Sequence, residues 1–362
     1  MEDFIYLIFF LWLEMYKLIR PLIFKYDPED VHEKIIALSL SLSNSHLNKI
    51  IKGLYSYENK MLNTNVFGID FKNPVGLAAG YDKNGELLDF LPSLGFGFIE
   101  IGSVSAQPSQ GNTKPRIFRF PKDKSLVNRT GLPNKGVDKI HDKIKDKKFK
   151  VPVGINIVKT HNPELLGEAG IFDICYSFLR LHDLGDYITI NISCPNTAEG
   201  KTFEDKNSLN DLLLEINKIR KNFSERKPIL LKISPDLSYN VMDDVLEIAE
   251  YFSIDGYVIS NTSSINTKGI EGGLSGLPIK QKSTELIRYV HKHIPDTSIV
   301  GVGGIFSAQD AYEKILAGAS LVQGYTGLIY EGPGLVKKIN KGLVRLLKRD
   351  GFSSLEEAVG SE

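Results

Sequence analysis

Strand-like and helical patterns alternate along most of the chain, and this alternation limits the folds open to it. Eight apolar, strand-like runs occur at residues 75–79, 98–102, 152–157, 187–191, 229–233, 256–260, 298–302 and 320–324. Helical spacing of apolar residues separates most of them, as at residues 208–222, 240–252, 283–293 and 307–317. Strands joined by helices run parallel, and eight of them predict an α/β fold, a closed (β/α)8 barrel. An open doubly wound sheet is the alternative, but no Gly-x-Gly-x-x-Gly follows the first run.

The chain of 362 residues is long enough for one such barrel and a small appendage. We expect an N-terminal helical region at 1–60, the barrel at 61–347 and a C-terminal tail at 348–362. Residues 104–151 form the largest insertion between strands, and residues 261–280 form another long loop rich in Ser, Thr, Gly and Asn.

The N-terminal region begins with ten apolar residues, Phe4 to Leu13. Such a run is too short for a bilayer core of about 30 Å, which needs roughly 20 residues. Glu2 and Asp3 before it argue against a secretory signal. A second helix is predicted from about Pro28, with Asp27 as its N-cap. Short apolar helices before a globular domain predict a helical segment that lies in the membrane interface. The alternatives are a helical cap packed on the barrel and a single anchor helix continuing to Phe24.

Composition excludes several classes of function. The 44 basic and 44 acidic residues balance, so nothing favours nucleic acid as a partner. Only Cys175 and Cys194 are cysteines, which argues against a disulfide framework and for a reducing compartment. The seven histidines show no metal-ligand spacing, and no metal is expected.

The segment Asn191–Thr197, NISCPNT, follows a β-branched run and carries the strongest indication of chemistry. Asn191 and Asn196 offer donors and acceptors that could fix a planar polar ring. Cys194 between them is a candidate acid/base or nucleophile. A turn around an inert, buried cysteine is the alternative.

Other polar residues and glycines also fall where the predicted strands end, which is the active-site face of a parallel barrel. The polar residues are Lys83, Ser103, Asn156, Lys232, Ser260, Asn261 and Thr262. Glycine-rich turns follow the last two strands, at Gly303-Gly304 and at 324–327. Free backbone N–H groups in such turns form an anion site, and phosphate is the expected ligand.

Together these motifs resemble dihydroorotate dehydrogenases over about Leu62 to Leu347. The segment at 191–197 is similar to the family's Asn-x-Ser-Cys/Ser-Pro-Asn loop. The other matching motifs, in order, are GLAAGYDK at 76–83, FIEIGS at 98–103, KPRIFR at 114–119, GGLSG at 272–276 and GVGG at 301–304. The N-terminal extension resembles the membrane-bound, quinone-dependent class.

The resemblance implies FMN as cofactor and dihydroorotate as substrate. Contacts to FMN are implied for Ala79, Gly80, Lys83, Ser103, Asn128, Asn156, Asn191, Lys232, Ser260, Gly276, Gly304, Tyr325 and Thr326. Contacts to dihydroorotate are implied for Lys83, Asn128, Arg129, Thr130, Gly131, Leu132, Asn191, Asn196, Asn261 and Thr262. Cys194 is implied as the general base that removes the C5 proton, while the flavin accepts the C6 hydride. His32, Arg119 and Tyr325 match positions that line the quinone tunnel.

Three departures from the family pattern lie near these sites. Cys194 stands where the quinone-dependent class normally has serine and the soluble class has cysteine. Leu132-Pro133 stands where Phe-Asn is usual, and Val158 where glycine is usual. We expect these departures to affect rate and pH dependence more than the type of reaction.

Three alternative functions remain at this stage. The first is the same oxidation with fumarate or a partner flavoprotein as acceptor, which Cys194 favours and the N-terminal extension opposes. The second is an FMN barrel that reduces uracil-like rings in RNA, which the balanced charge opposes. The third is a non-enzymatic FMN-binding barrel. We expect peripheral attachment to the cytoplasmic face of a bacterial inner membrane, with the mitochondrial inner membrane as the alternative.

Overall fold

The computed structural model describes residues 16–43, 45–193 and 203–362. Eight parallel strands close into a barrel. They are β3 (Val75–Leu77), β4 (Phe98–Val104), β7 (Val153–Ile157), β8 (Tyr187–Asn191), β9 (Ile229–Ile233), β10 (Gly256–Ile259), β12 (Ser298–Val302) and β13 (Leu321–Gly324). Their spatial order around the barrel is β10-β12-β13-β3-β4-β7-β8-β9. The predicted (β/α)8 barrel is confirmed, and each predicted run overlaps one barrel strand.

Helices cover the outside of the barrel. They are α4 (Val137–Ile144), α5 (Gly167–Leu181), α6 (Lys206–Arg220), α7 (Tyr239–Tyr251), α8 (Lys280–His293), α9 (Ala308–Leu316), α10 (Thr326–Glu331) and α11 (Leu335–Arg349). Asp205, Ser238 and Ser307 start α6, α7 and α9 by accepting a backbone N–H with the side chain. The strands read as continuous apolar runs because one face meets these helices and the other meets the barrel interior.

The barrel interior is arranged in layers, because alternate residues of each strand point inward. The lower layer is apolar and consists of Phe98, Tyr187, Leu230, Val258, Val300 and Leu321. The hairpin of β1 (Thr64–Val66) and β2 (Ile69–Phe71) closes this end, where the Phe71 ring lies 5.3 Å from that of Phe98. Two residues further along the strands, the interior is polar, with Glu100, Thr189, Lys232 and Gln323.

Two segments between barrel strands together build a second sheet. Strands β5 (Ile117–Phe120) and β6 (Ser125–Asn128) come from the insertion at 104–151, and β11 (Gly273–Gly276) comes from the segment at 261–280. They form an antiparallel sheet in the order β11-β6-β5. The prediction of a long loop at 261–280 was therefore incomplete, because β11 gains its hydrogen-bonding partner only from a segment more than 100 residues away.

In the described residues, three α-helices precede the barrel. Residues 16–23 form the described part of α1, followed by α2 (Pro28–Ser43) and α3 (His46–Tyr55). Asp27 accepts from the backbone N–H groups of Glu29 and Asp30, at 2.8 and 3.2 Å, as its predicted N-cap role requires. The predicted run Phe4 to Leu13 lies outside the described residues. No helix of the described part is long and apolar enough to cross a membrane.

The C-terminal residues return to the closed end of the barrel. The backbone N–H of Leu355 donates to Met61 O at 2.8 Å, and that of Gly360 donates to Ile315 O at 3.1 Å. The Arg288 guanidinium makes two bonds of 2.6 Å to the Glu362 carboxylate. These contacts hold the end of the chain against the barrel.

Candidate active site

A cavity opens at the end of the barrel where the parallel strands finish. Its empty space is about 1170 Å³, counting the open mouth. The strand ends supply its floor, and the β11-β6-β5 sheet supplies one wall through Ile117, Leu126 and Ser275. A closed barrel brings all eight strand ends to one rim, which explains why residues far apart in sequence meet here.

Most of the residues predicted to bind ligands line this cavity. Of those predicted to contact the cofactor, the lining contains Ala79, Gly80, Lys83, Ser103, Asn128, Asn191, Lys232, Ser260, Gly276, Gly304, Tyr325 and Thr326. Of those predicted to contact only the substrate, it contains Thr130, Leu132, Asn261 and Thr262.

Five predicted residues are placed elsewhere. Asn156 lies below the cavity, where it accepts from Ser103 Oγ. The Arg129 guanidinium lies 5.8 Å from the centre of the Phe118 ring, and Gly131 accepts from Ser109 through its backbone oxygen. His32 lies on α2 and Arg119 lies against Phe24, and neither is in the cavity wall. Cys194 and Asn196 lie outside the described residues.

Asn191 and Asn261 are joined by hydrogen bonds across the mouth of the barrel. Asn261 Nδ2 lies 3.2 Å from Asn191 Oδ1 and 3.1 Å from Ser193 Oγ. Ser193 in turn donates to the backbone oxygen of Lys232 at 2.9 Å. The chain is therefore anchored by buried polar contacts immediately before Cys194.

The cavity also has a glycine-lined end. Gly303 and Gly304 both have positive φ, at 120° and 69°, which glycine adopts without strain. At Gly304 a Cβ atom would collide with Lys280, so the backbone must stay bare. Ser275 Oγ and Thr326 Oγ1 lie 2.8 Å apart at the same end. Bare backbone amides and hydroxyls suit a phosphate group.

Lys83 is held between the cavity and α2. Asp82, just before it, accepts the backbone N–H groups of Glu86 and Leu87, both at 2.8 Å, and so fixes the turn that carries Lys83. Burial lowers the pKa of the Lys83 ammonium, while the Glu29 carboxylate on α2 raises it. Burial disfavours the charged form of this lysine, so an anionic partner bound in the cavity would stabilise its charge.

A chain of aromatic rings leads from α2 to the cavity. The His32 ring lies edge-on to Tyr81 at 4.8 Å, and Tyr81 lies edge-on to Tyr325 at 5.9 Å. Burial, and then the nearby Lys83 charge, lowers the pKa of His32 to about 4. Arg119 lies 4.5 Å from the centre of the Phe24 ring and donates to Tyr26 O. These residues line the seam between the N-terminal helices and the barrel.

Two residues beneath the cavity were not predicted from the sequence. Glu100 and Gln323 lie in the polar layer of the barrel, and Gln323 reaches the cavity wall. A sign of Glu100 was present, because one carboxylate interrupts the apolar run at 98–102. An ionisable residue in a strand buried on both faces is rare unless it is paired.

The family model described as dihydroorotate dehydrogenase matches residues 61–347. The chain belongs to the dihydroorotate dehydrogenase family. Members of this family depend on a flavin.

Relatives of known name support the quinone-dependent class of dihydroorotate dehydrogenases. A protein of Christiangramia forsetii named dihydroorotate dehydrogenase (quinone) is 43% identical over 340 residues, 91% of this chain and 99% of the relative. A protein of the same name from Natronomonas pharaonis is 39% identical over 353 residues, 96% of this chain and 99% of the relative.

Solved structures agree with the family. The dihydroorotate dehydrogenase of Eimeria tenella in complex with ferulenol superposes with a TM-score of 0.83 at 29% identity, covering 94% of this chain and 98% of that one. The ligand-free enzyme gives 0.84 at 30% identity, covering 92% and 99%. The likeness therefore includes the N-terminal helices as well as the barrel.

Proposed function

We propose that this chain oxidises dihydroorotate to orotate in the barrel cavity, with FMN as hydride acceptor and membrane quinone as final electron acceptor. Flavin-dependent oxidation of dihydroorotate, a step of pyrimidine biosynthesis, is the activity of the family. The quinone acceptor follows from relatives that match nearly the whole chain, so fumarate is not favoured. The observation that carries the residue assignment is the convergence of the polar strand ends on one cavity.

FMN fits this cavity by its chemistry. The bare backbone at Gly303 and Gly304 suits the phosphate, and Ser103, Asn128, Lys232 and Ser260 offer polar atoms for the ring and its sugar chain. Gln323 Oε1 is buried and has no hydrogen-bond partner among the described residues, so it is free to accept from a ligand. When bound, FMN supplies the acceptor for the hydride.

The chain's own residues bind and orient the substrate. The asparagines at 128, 191, 196 and 261 match the alternating donors and acceptors of a cyclic ureide, and Lys83 pairs with the substrate carboxylate. Arg129 and Gly131 support the wall that carries Asn128, Thr130 and Leu132. Cys194 takes the proton from C5, since a thiol with a pKa of about 8.5 needs only modest help to ionise near neutral pH.

The N-terminal helices make the membrane contact. Nine large apolar side chains are exposed on or next to α1, α2 and α3, namely Leu18, Ile19, Leu22, Tyr26, Ile35, Leu38, Leu40, Leu47 and Ile50. A patch of this kind lies in the headgroup region of a bilayer. Quinone enters beside it and reaches the flavin along His32, Arg119 and Tyr325. The proposed attachment is peripheral, at the cytoplasmic face of a bacterial inner membrane.

The test is a flavin titration of the purified protein. We expect a yellow protein with FMN that loses its visible flavin band when dihydroorotate is added without oxygen. Addition of a quinone should restore the band, whereas fumarate should not. Failure of dihydroorotate to bleach the band contradicts the assignment, and rapid recovery with fumarate contradicts the quinone acceptor.

A further inference from the structure

Glu100 is an ionisable residue in the barrel interior that the binding of substrate and cofactor does not use. It lies on β4 and is completely buried. Asn156 Nδ2 donates to its Oε1 at 2.9 Å, and Gln323 Nε2 donates to its Oε2 at 2.9 Å. The hydroxyls of Thr189 and Tyr187 donate to Oε2 at 3.2 and 3.3 Å. Four donors match the ionised carboxylate, which only accepts.

The Glu100 carboxylate also faces Lys232. Its Oε1 lies 4.0 Å from Lys232 Nζ, and the two side chains are 0% and 7% exposed. Charges buried this deeply are screened little by water, so the carboxylate weakens the positive field that Lys232 projects into the cavity. The apolar layer directly below shows that the barrel can be filled without a charge at all.

We propose that Glu100 positions Lys232 and holds down the reduction potential of the bound flavin. The inference rests on the proposed function, which places the flavin against Lys232. Reduction adds negative charge to the flavin, and Lys232 stabilises that charge while Glu100 opposes it. Together the two charges keep the reduction potential of the flavin low enough for electrons to pass on to quinone.

The test compares three variants by the midpoint potential of their bound FMN. Glu100→Gln removes the charge and keeps the volume. We expect it to raise the equilibrium constant for two-electron reduction about ten-fold, which corresponds to about 30 mV. Thr189→Val is the matched control, since it removes one hydrogen bond to Glu100 and keeps the charge. Its potential should equal that of the wild type.

A second variant, Glu100→Asp, keeps the proposal testable if Glu100→Gln loses its flavin. Glu100→Asp keeps the charge but draws it back from Lys232 by about one C–C bond, 1.5 Å. We expect its equilibrium constant for two-electron reduction to be about two-fold higher than that of Thr189→Val. The inference is overturned if neither Glu100 variant exceeds the control. A wild type that binds no FMN would instead contradict the proposed function.

Discussion

Two neighbouring regions of this molecule differ in the kind of side chain that they bury and expose. In the barrel, the polar layer beneath the cavity is buried and joined by hydrogen bonds, from Glu100 through Asn156 and Ser103 to Asn191. In the N-terminal helices, apolar side chains such as Leu18 and Leu22 are 75% and 58% exposed. Buried, hydrogen-bonded polar groups suit a polar ligand, whereas exposed apolar side chains suit contact with an apolar phase. The difference supports the proposal that dihydroorotate is oxidised in the first region and that quinone enters through the second.

Breaking the buried ion pair that joins α2 to the barrel should have the largest effect, a loss of folding stability. Glu29 on α2 receives Arg116 Nε at 2.9 Å and Nη2 at 2.6 Å, and both side chains are 8% exposed. Glu29→Gln leaves a buried guanidinium without its counter-charge, which should cost about 3 kcal/mol in the free energy of unfolding. Urea denaturation measures it.

The control for this joint is Glu33→Gln. Glu33 pairs with Lys114 at 3.1 Å, but the two side chains are 62% and 47% exposed. An exposed pair contributes less than about 1 kcal/mol. Equal destabilisation by the two variants would show that the buried pair does not join α2 to the barrel.

In the barrel, the proposed general base is Cys194. Cys194→Ala should slow flavin reduction by dihydroorotate at least about 100-fold, the usual contribution of a general base. Reoxidation of the chemically reduced flavin by quinone should stay unchanged. Cys194→Ser should keep partial activity with a higher pH optimum, because a hydroxyl is the weaker acid.

Cys175→Ala supplies the matched control, since Cys175 is buried in α5 away from the cavity. Stopped-flow bleaching separates the two half-reactions. A Cys194→Ala enzyme that bleaches as fast as Cys175→Ala would remove Cys194 from the mechanism.

The seam should respond to acid through His32. The His32 ring has a pKa of about 4 in the folded protein, against about 6.5 for an unperturbed histidine. The unfolded chain therefore binds the proton first as pH falls. The contribution of neutral His32 to the free energy of unfolding is therefore fully present above about pH 6.5. It is lost progressively as the pH falls towards 4, by about 1–2 kcal/mol after screening by solvent.

Substitution tests this source of acid sensitivity. His32→Asn should flatten the decline of the urea midpoint between pH 7 and 4, whereas the exposed His46→Asn should not. Parallel pH curves for the two variants would rule out His32 as the cause.

The smallest expected effect is on the membrane side. Replacing Leu18 and Leu22 together with serine removes two exposed side chains from α1. Binding to phospholipid vesicles should weaken about ten-fold, with the flavin reduction rate unchanged, because little is buried in the protein itself. Sedimentation with vesicles measures binding. Tyr251→Ser, at a position 80% exposed on α7, is the control and should not alter it. Equal loss from both would mean that the patch is not the attachment site.

Most of the barrel was predictable from the sequence because its strands are defined by local patterns. The run 187–191 became β8 with the same bounds, and Asp27 capped α2 as predicted. Cavity residues such as Ser103, Lys232 and Asn261 were found because a parallel barrel places its strand ends on one face. The roles of Cys194 and Asn196 stay predictions, since both lie outside the described residues.

Other features depended on contacts between distant parts of the chain. Strand β11 exists because it pairs with β6, and its own sequence resembles a loop. Glu29 and Arg116 are 87 residues apart, and no local pattern in either segment indicates that the two residues pair. The sequence alone determined the periodicity of the strands and helices, and hence the fold and the face that carries the site. Only the tertiary structure decided which buried charges meet, because pairing depends on distances that folding sets between segments with no local pattern in common.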